Sequence, residues 1–226
     1  GSVDETNECV CYDGYSGSIC DTFITDCTEG KTYSYYNGTN GVVYIKPTAA
    51  PDPFPVYCSF KEDRARTYLQ RHFHTGFDFN QTWNHYRDGF GDMLSTAEQF
   101  WLGNLYLHYI TSSGFYTLVF EMGNKDGSTV SQQEYDGFYV RDEAAKFEFA
   151  LDQYLSTTMS GLPPLGDCLS FVESLPFATF DDDTRYGCAK AHGSGWWFHS
   201  TSTPCTFSDG SNGRYINTSI GTKTNI

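Results

Sequence analysis

The chain has 226 residues, 39% hydrophobic, 17% aromatic and 19% charged, enough for one large domain or a domain with a small appendage. Its formal net charge of −14 repels phosphate backbones and anionic headgroups, which argues against nucleic acid and a membrane surface as partners. No apolar run approaches the roughly 20 residues of a membrane helix, and no signal peptide opens the chain; Gly1 and Ser2 read as a cloning scar, any leader having been removed.

Residues 1–26 are Gly-punctuated and poor in aliphatics, so disulfides must hold them. From Cys27 the composition turns globular. Val42–Ile45 and Val56–Cys58 read as strands around a Pro-rich loop at 47–55, and Thr67–Gln70 as a third. Trp83–Arg87 reads as a helix ended by Gly89. Ser95 or Thr96 is placed to cap a further helix carrying Glu98, Phe100 and Trp101, with apolar residues continuing through Leu105, Leu107 and Ile110.

A β meander follows. Tyr116, Leu118 and Phe120 alternate with Thr117, Val119 and Glu121; Asp126–Gly127 signals a turn; Tyr135, Phe138 and Val140 mark a second strand. Phe147, Phe149 and Leu151 alternate with Glu148, Ala150 and Asp152, giving one core face and one wet face. After Gly166 the chain is rich in Ser, Thr, Gly and Asp, and regular strand patterns nearly vanish. Such irregular backbone on a rigid sheet is where binding usually resides.

Eight cysteines and three sequons, at Asn37, Asn80 and Asn217, point to disulfides and N-glycosylation in a secreted protein or a cell-surface ectodomain. A cytosolic protein with metal-bound cysteines would need a close Cys-x-x-Cys pair, which is absent. His72 and His74 would share one face of a strand, but without a third ligand they read as an ordinary surface pair. No nucleophile motif of the Gly-x-Ser-x-Gly kind stands in a catalytic context.

The Cys9-x-Cys11 pair, with Gly14, Tyr15 and Gly17 before Cys20, resembles the C-terminal half of an EGF-like module. That resemblance implies a Cys11–Cys20 bond and an upstream partner for Cys9. The remainder resembles a fibrinogen C-terminal domain. The residues that carry this are Asp78–Phe79, Trp83–Gly91, Glu98–Asn104, Tyr135 with Phe138 and Val140, Cys188–Ala189 with Gly195–Trp197, and Asn212–Tyr215, all in the family's order over about residues 26–215. The division expected is therefore a partial EGF-like module at 1–26 and a fibrinogen C-terminal-like domain at 27–226.

The resemblance implies an α+β fold in three parts: a small N-terminal subdomain clipped by Cys27–Cys58, a central mostly antiparallel sheet with packed helices, and a loop-rich C-terminal subdomain with a disulfide at Cys188–Cys205. It also implies no catalysis, a Ca2+ ion, and recognition of a glycan, an acetylated group or a protein epitope. Oligomerising stalks in this family lie upstream. The alternative is a cell-surface or matrix adhesion protein acting through protein–protein contacts, which the EGF-like half-module favours.

Asp181, Asp182 and Asp183 are adjacent carboxylates that repel one another unless a cation or solvent relieves them. Calcium takes six to eight oxygens, so Asp181 and Asp183 would need carbonyl help from Arg185 or Tyr186; the other reading is a solvated acidic loop. At least one of Trp196 and Trp197 reads as the hydrophobic plug of a subdomain with little other core, while the other, with His199 and Tyr215, would line a ligand pocket. The chain departs from the family in a shortened acidic loop, a long connection from Trp197 to Cys205, Asp63–Thr67 in place of a Gly-rich segment, and the expected absence of a final sheet strand after Tyr215. Cys168 is an extra cysteine for the family; it either pairs with Cys9 or stays free while Cys9 bonds elsewhere.

Overall fold

A computed structural model describes residues 2–3, 9–32, 40–61, 64–72, 77–94, 99–123, 129–156, 161, 163–164, 166–167, 169–182, 187–198 and 215–221, with the backbone alone at 2–3, 129–130 and 215–221. The N-terminal segment forms two short hairpins, β1 (Ser2–Val3) with β2 (Cys9–Val10) and β3 (Tyr15–Ser16) with β4 (Thr22–Phe23). Cys11 bonds Cys20, as the resemblance implied. The second hairpin is seated on the next part of the chain by backbone bonds: Tyr44 N donates to Asp13 O at 3.0 Å, and Lys46 N to Ile24 O at 2.9 Å. Gly14, at φ 97°, permits this approach, because a Cβ there would overlap the Tyr44 carbonyl.

Helix α1 (Cys27–Gly30) starts at Asp26, whose Oδ1 accepts from Glu29 N at 2.7 Å and caps its first turn; Glu29 Oε2 accepts from Thr25 N at 2.7 Å, which fixes the chain entering the helix. Asp26 Oδ2 also accepts from Tyr116 Oη at 2.8 Å, joining this turn to the central sheet. Cys27 bonds Cys58.

The main sheet is antiparallel, with nine strands among the described residues. Its strands are β5 (Gly41–Ile45), β6 (Phe54–Phe60), β7 (Ala65–His72), β8 (Phe90–Gly91), β9 (Phe100–Trp101), β10 (Thr117–Gly123), β11 (Thr129–Asp136), β14 (Gln153–Leu155) and β15 (Tyr215–Gly221). The spatial order is β14-β11-β10-β15-β7-β6-β5, with β9 on β7 and β8 on β9. Two further short strands, β12 (Tyr139–Val140) and β13 (Phe149–Ala150), pair with each other. The N-terminal hairpin borders β5 and so covers part of an edge that would otherwise offer unpaired backbone groups.

Two expectations change. Phe100 and Trp101 are not helical: they form β9, paired with Arg71 and Gln70, and the helix begins three residues later as α3 (Asn104–Thr111). Register against β7 overrides the helical reading, and Gly103, at φ 116°, separates strand from helix. The closing strand is also present. β15 lies between β10 and β7, pairing Thr117–Gly123 on one side and Thr67–His72 on the other.

Helix α2 (Trp83–Asp88) is capped by Thr82, whose hydroxyl accepts from His85 N, and ends at Gly89 with φ 90°. Its buried residue, Tyr86, packs against Phe90, Trp101 and Phe177. Trp101 Nε1 donates to Tyr86 O and Asn104 Oδ1, both at 3.1 Å, so the buried indole is satisfied. Thr111 Oγ1 accepts from Val140 N at 3.0 Å and docks α3 on β12. Phe147, Phe149 and Leu151 are buried while Asp152 is exposed, which is the predicted alternation although only Phe149–Ala150 is a strand.

Candidate recognition site

The acidic segment and the tryptophan pair meet through an antiparallel bridge. Ala178 N donates to Trp196 O and Trp196 N to Ala178 O, both at 3.0 Å. Phe177, Ala178 and Thr179 are fully buried; the chain then turns, with backbone bonds exchanged between Thr179 and Asp182, and exposes Phe180 by 40%. Helix α4 (Cys188–His192) lies between the two bridged segments, flanked by Gly187 and Gly193 in left-handed conformation. The described stretches Phe177–Asp182 and Gly195–Phe198 are thereby held side by side.

The first two carboxylates are tied to protein groups. Asp181 Oδ1 accepts from Trp83 N at 2.9 Å and from Thr179 Oγ1 at 2.8 Å, giving α2 a second cap from 98 residues away. Asp182 Oδ1 pairs with Lys146 Nζ at 2.7 Å. Lys146 follows a 3-10 turn at Glu143–Ala145 and lies 5.8 Å from the centroid of the Trp83 ring, whose Nε1 donates to Glu143 Oε1 at 2.8 Å. At the far end of α2 the Arg87 guanidinium, bonded to Asp88 at 2.7 Å, holds that carboxyl below its usual range.

This donor set bears on calcium. Among the described residues no group of three or more metal-ligating side chains converges. Among the described residues the second oxygen of Asp181 has no partner, and the Lys146 ammonium stands beside Asp182. The described residues do not by themselves fit the ion, since hard-cation coordination needs several convergent oxygens. Asp183, Arg185 and Tyr186 lie outside the described residues.

Trp197 is 4% exposed, contacts the rings of Phe149, Phe177 and Trp101, and donates its indole N–H to Phe147 O at 2.7 Å. Half-buried Trp196 packs edge-on against Phe120 and Trp197. The pair belongs to the core. Between it and the sheet lies an apolar cavity of about 20 Å3, lined by residues including Leu69, Leu118, Phe120 and Phe138; it has room for about one water and none for a sugar ring. Of the other ligand candidates, His199 lies outside the described residues, and Tyr215 is described only as the first residue of β15.

Cys9 is exposed and has no disulfide among the described residues; Cys168 and Cys205 lie outside them, as does Asn37. Asn80 is exposed, and Asn217 is in a central strand. His72 packs against Phe79 with ring centroids 4.5 Å apart, while His74 is outside the described residues. The sequence reading missed Lys146 and Glu143 as braces of this site. Each sits more than 30 residues from its partner in the site, so no local pattern announces it.

An α+β fold with antiparallel sheets, a few short helices and disulfides is that of the fibrinogen C-terminal globe. The chain belongs to this family: residues 12–225 match the model of the C-terminal globular domain of fibrinogen beta and gamma chains. Domains of this family are non-catalytic binding modules. The chain is 32% identical over 181 residues to bovine fibrinogen-like protein 1, which covers 77% of this chain and 57% of that protein. It is 29% identical over 209 residues to bovine fibrinogen beta chain, covering 81% of this chain and 42% of that one. It therefore spans about half the length of these relatives. The fold also matches the fibrinogen-like globe domain of human ANGPTL6 (TM-score 0.73, 23% identity, 89% of this chain and 96% of that). A lamprey fibrin D-dimer complexed with the peptide ligand Gly-His-Arg-Pro-amide matches as well (TM-score 0.72, 20% identity, 98% of this chain and 81% of that). The two disulfides among the described residues accord with an extracellular location.

Proposed function

We propose that this chain is a secreted or cell-surface recognition module whose ligand is a peptide or protein epitope carrying positive charge, bound through the loop-rich region 181–215. The observation that carries this reading is the Ala178–Trp196 bridge, which fixes two irregular segments side by side on a rigid base. The net charge of −14 favours a cationic epitope. Burial of Trp197 and the small size of the cavity beneath it favour a peptide over a glycan or an acetylated group stacked on an aromatic wall. The peptide in the lamprey fibrin complex is likewise basic.

Calcium belongs to this reading as an ion held mainly by Asp183 with the carbonyls of Arg185 and Tyr186, Asp181 adding its remaining oxygen. The Cys11–Cys20 bond supports an EGF-like half-module at the N-terminus and, with it, a role in adhesive contacts between proteins.

The test is binding of the immobilised domain to arrays of basic peptides, acidic peptides, acetylated compounds and glycans, with calcium and with a chelator. Salt-sensitive capture of basic peptides is expected. Capture of glycans or acetylated compounds alone would overturn the peptide reading. Peptide capture unchanged by chelator, with no calcium heat in titration calorimetry, would remove the ion from it.

A further inference from the structure

We infer that Asn80 carries an N-linked glycan and that the sequon at Asn217 does not. Asn80 is exposed just before α2, and among the described residues its carboxamide makes no hydrogen bond. Its backbone is held in place: Asn80 N donates to Asp78 Oδ1 at 2.8 Å, Gln81 N to Phe79 O at 2.9 Å, and Gln81 Nε2 to Asp78 O at 2.9 Å. The glycan's attachment point thus stands on a fixed, exposed turn.

Transfer occurs on the nascent chain. The amide Nδ2 displaces the diphosphate of a lipid-linked oligosaccharide, so the sugar C1–O bond breaks, an N–C1 bond forms and the amide loses one proton. Folding then decides which modified chains survive. At Asn80 the native turn leaves the glycan outside. Asn217 instead sits within β15, with Glu121 and Arg71 as its register partners on either side, both close to buried. A glycan at that register position would force apart the packing around those residues. A chain modified there would not complete the sheet.

The sequon also has a structural second use. Thr82, its hydroxyl residue, is the N-cap of α2, and Trp83, next in line, is bonded to Asp181. Asn80 is three residues before Trp83, within roughly 11 Å even if the chain were fully extended. The glycan therefore stands beside the Trp83–Asp181 contact, whatever ligand the region takes.

The experiment is secretion of the chain from eukaryotic cells, enzymatic deglycosylation in heavy-oxygen water, and peptide mapping by mass spectrometry. An isotopically marked Asp at position 80 and an unmodified Asn217 are expected. Asn80→Gln should lower the glycan count by one, Asn217→Gln should leave it unchanged, and Thr82→Ser should preserve both glycan and cap. Thr82→Ala should lose the glycan and also melt at a lower temperature than Asn80→Gln. An unmodified Asn80 in the secreted protein, or a glycan lost through Asn217→Gln, overturns the proposal.

Discussion

Gly195 lies against the face of the Tyr86 ring: a Cβ on this glycine would fall 2.6 Å from Tyr86 Cε2 and 2.8 Å from Cδ2 and Cζ. The ring cannot give way, because it is 1% exposed and held by Phe90, Trp101 and Phe177. Gly195→Ala should therefore cost about 1–3 kcal/mol by overpacking, seen as a lower urea midpoint. Tyr86→Leu combined with Gly195→Ala should recover part of the loss. An unchanged midpoint for Gly195→Ala would refute the packing argument.

The Tyr116–Asp26 bond yields a second expectation. Both residues are nearly buried, so Tyr116→Phe leaves a carboxylate oxygen without its donor, at a cost of about 1–3 kcal/mol. In a double-mutant cycle with Asp26→Asn, equilibrium unfolding should show coupling between the two changes. Strict additivity would show that the bond contributes nothing beyond its separate parts.

Alkaline pH should unfold the protein through its buried phenols. Burial raises Tyr68 from its ordinary 10.0 to about 12, with Glu121 adding to the rise, and raises Tyr86 and Tyr116 further, the latter helped by Asp26. Unfolding frees each phenol to ionise at its ordinary value, so the unfolded chain holds fewer protons above that pH. Stability is thus fully present below about pH 10 and falls as pH rises through the folded values. Urea midpoints should be level at mildly alkaline pH and drop beyond about pH 10, with tyrosinate absorbance rising in the same transition. Phenols that ionise while the fold is intact would contradict this.

The two described acidic side chains of the site should respond differently. Asp181→Ala removes a buttress of α2 and should cost about 0.5–2 kcal/mol, whereas Asp181→Asn keeps the acceptor and costs less. Asp182→Asn breaks a pair whose side chains are 35% and 39% exposed, so its effect should stay below about 1 kcal/mol. Thermal melts of the three variants decide it, and a reversed ranking would dismiss Asp181 as the brace.

Gly14→Ala should lift the N-terminal hairpin from β5 while the main sheet stays folded. Hydrogen exchange at the Tyr44 amide, bonded to Asp13 O, should accelerate, with little change at Phe120 in the sheet centre. Equal acceleration at both positions would mean that the hairpin and the sheet unfold as one unit.

Much of this was legible in the residues. The strands β5–β7 and helix α2 carry apolar patterns and turn or cap residues that are readable without a structure. Phe100–Trp101 was misread because a two-residue strand has no period, and only its pairing with β7 defines it. β15 did have a signal: Ile216, Thr218 and Ile220 alternate with Asn217 and Ser219, three β-branched residues at period 2. That signal was masked by the polar composition around it. The site is harder still, because Trp83, Lys146, Asp181 and Trp196 come together only through the fold.

The position of β15 has a consequence for biosynthesis. It is the latest of the sheet's strands to leave the ribosome, yet it sits between β10 and β7. Until it arrives, both neighbours present raw edges, and the sheet is two fragments awaiting a splice. A chain interrupted anywhere before Tyr215 would not be a slightly shortened protein but an open one, and cellular quality control should meet it as such.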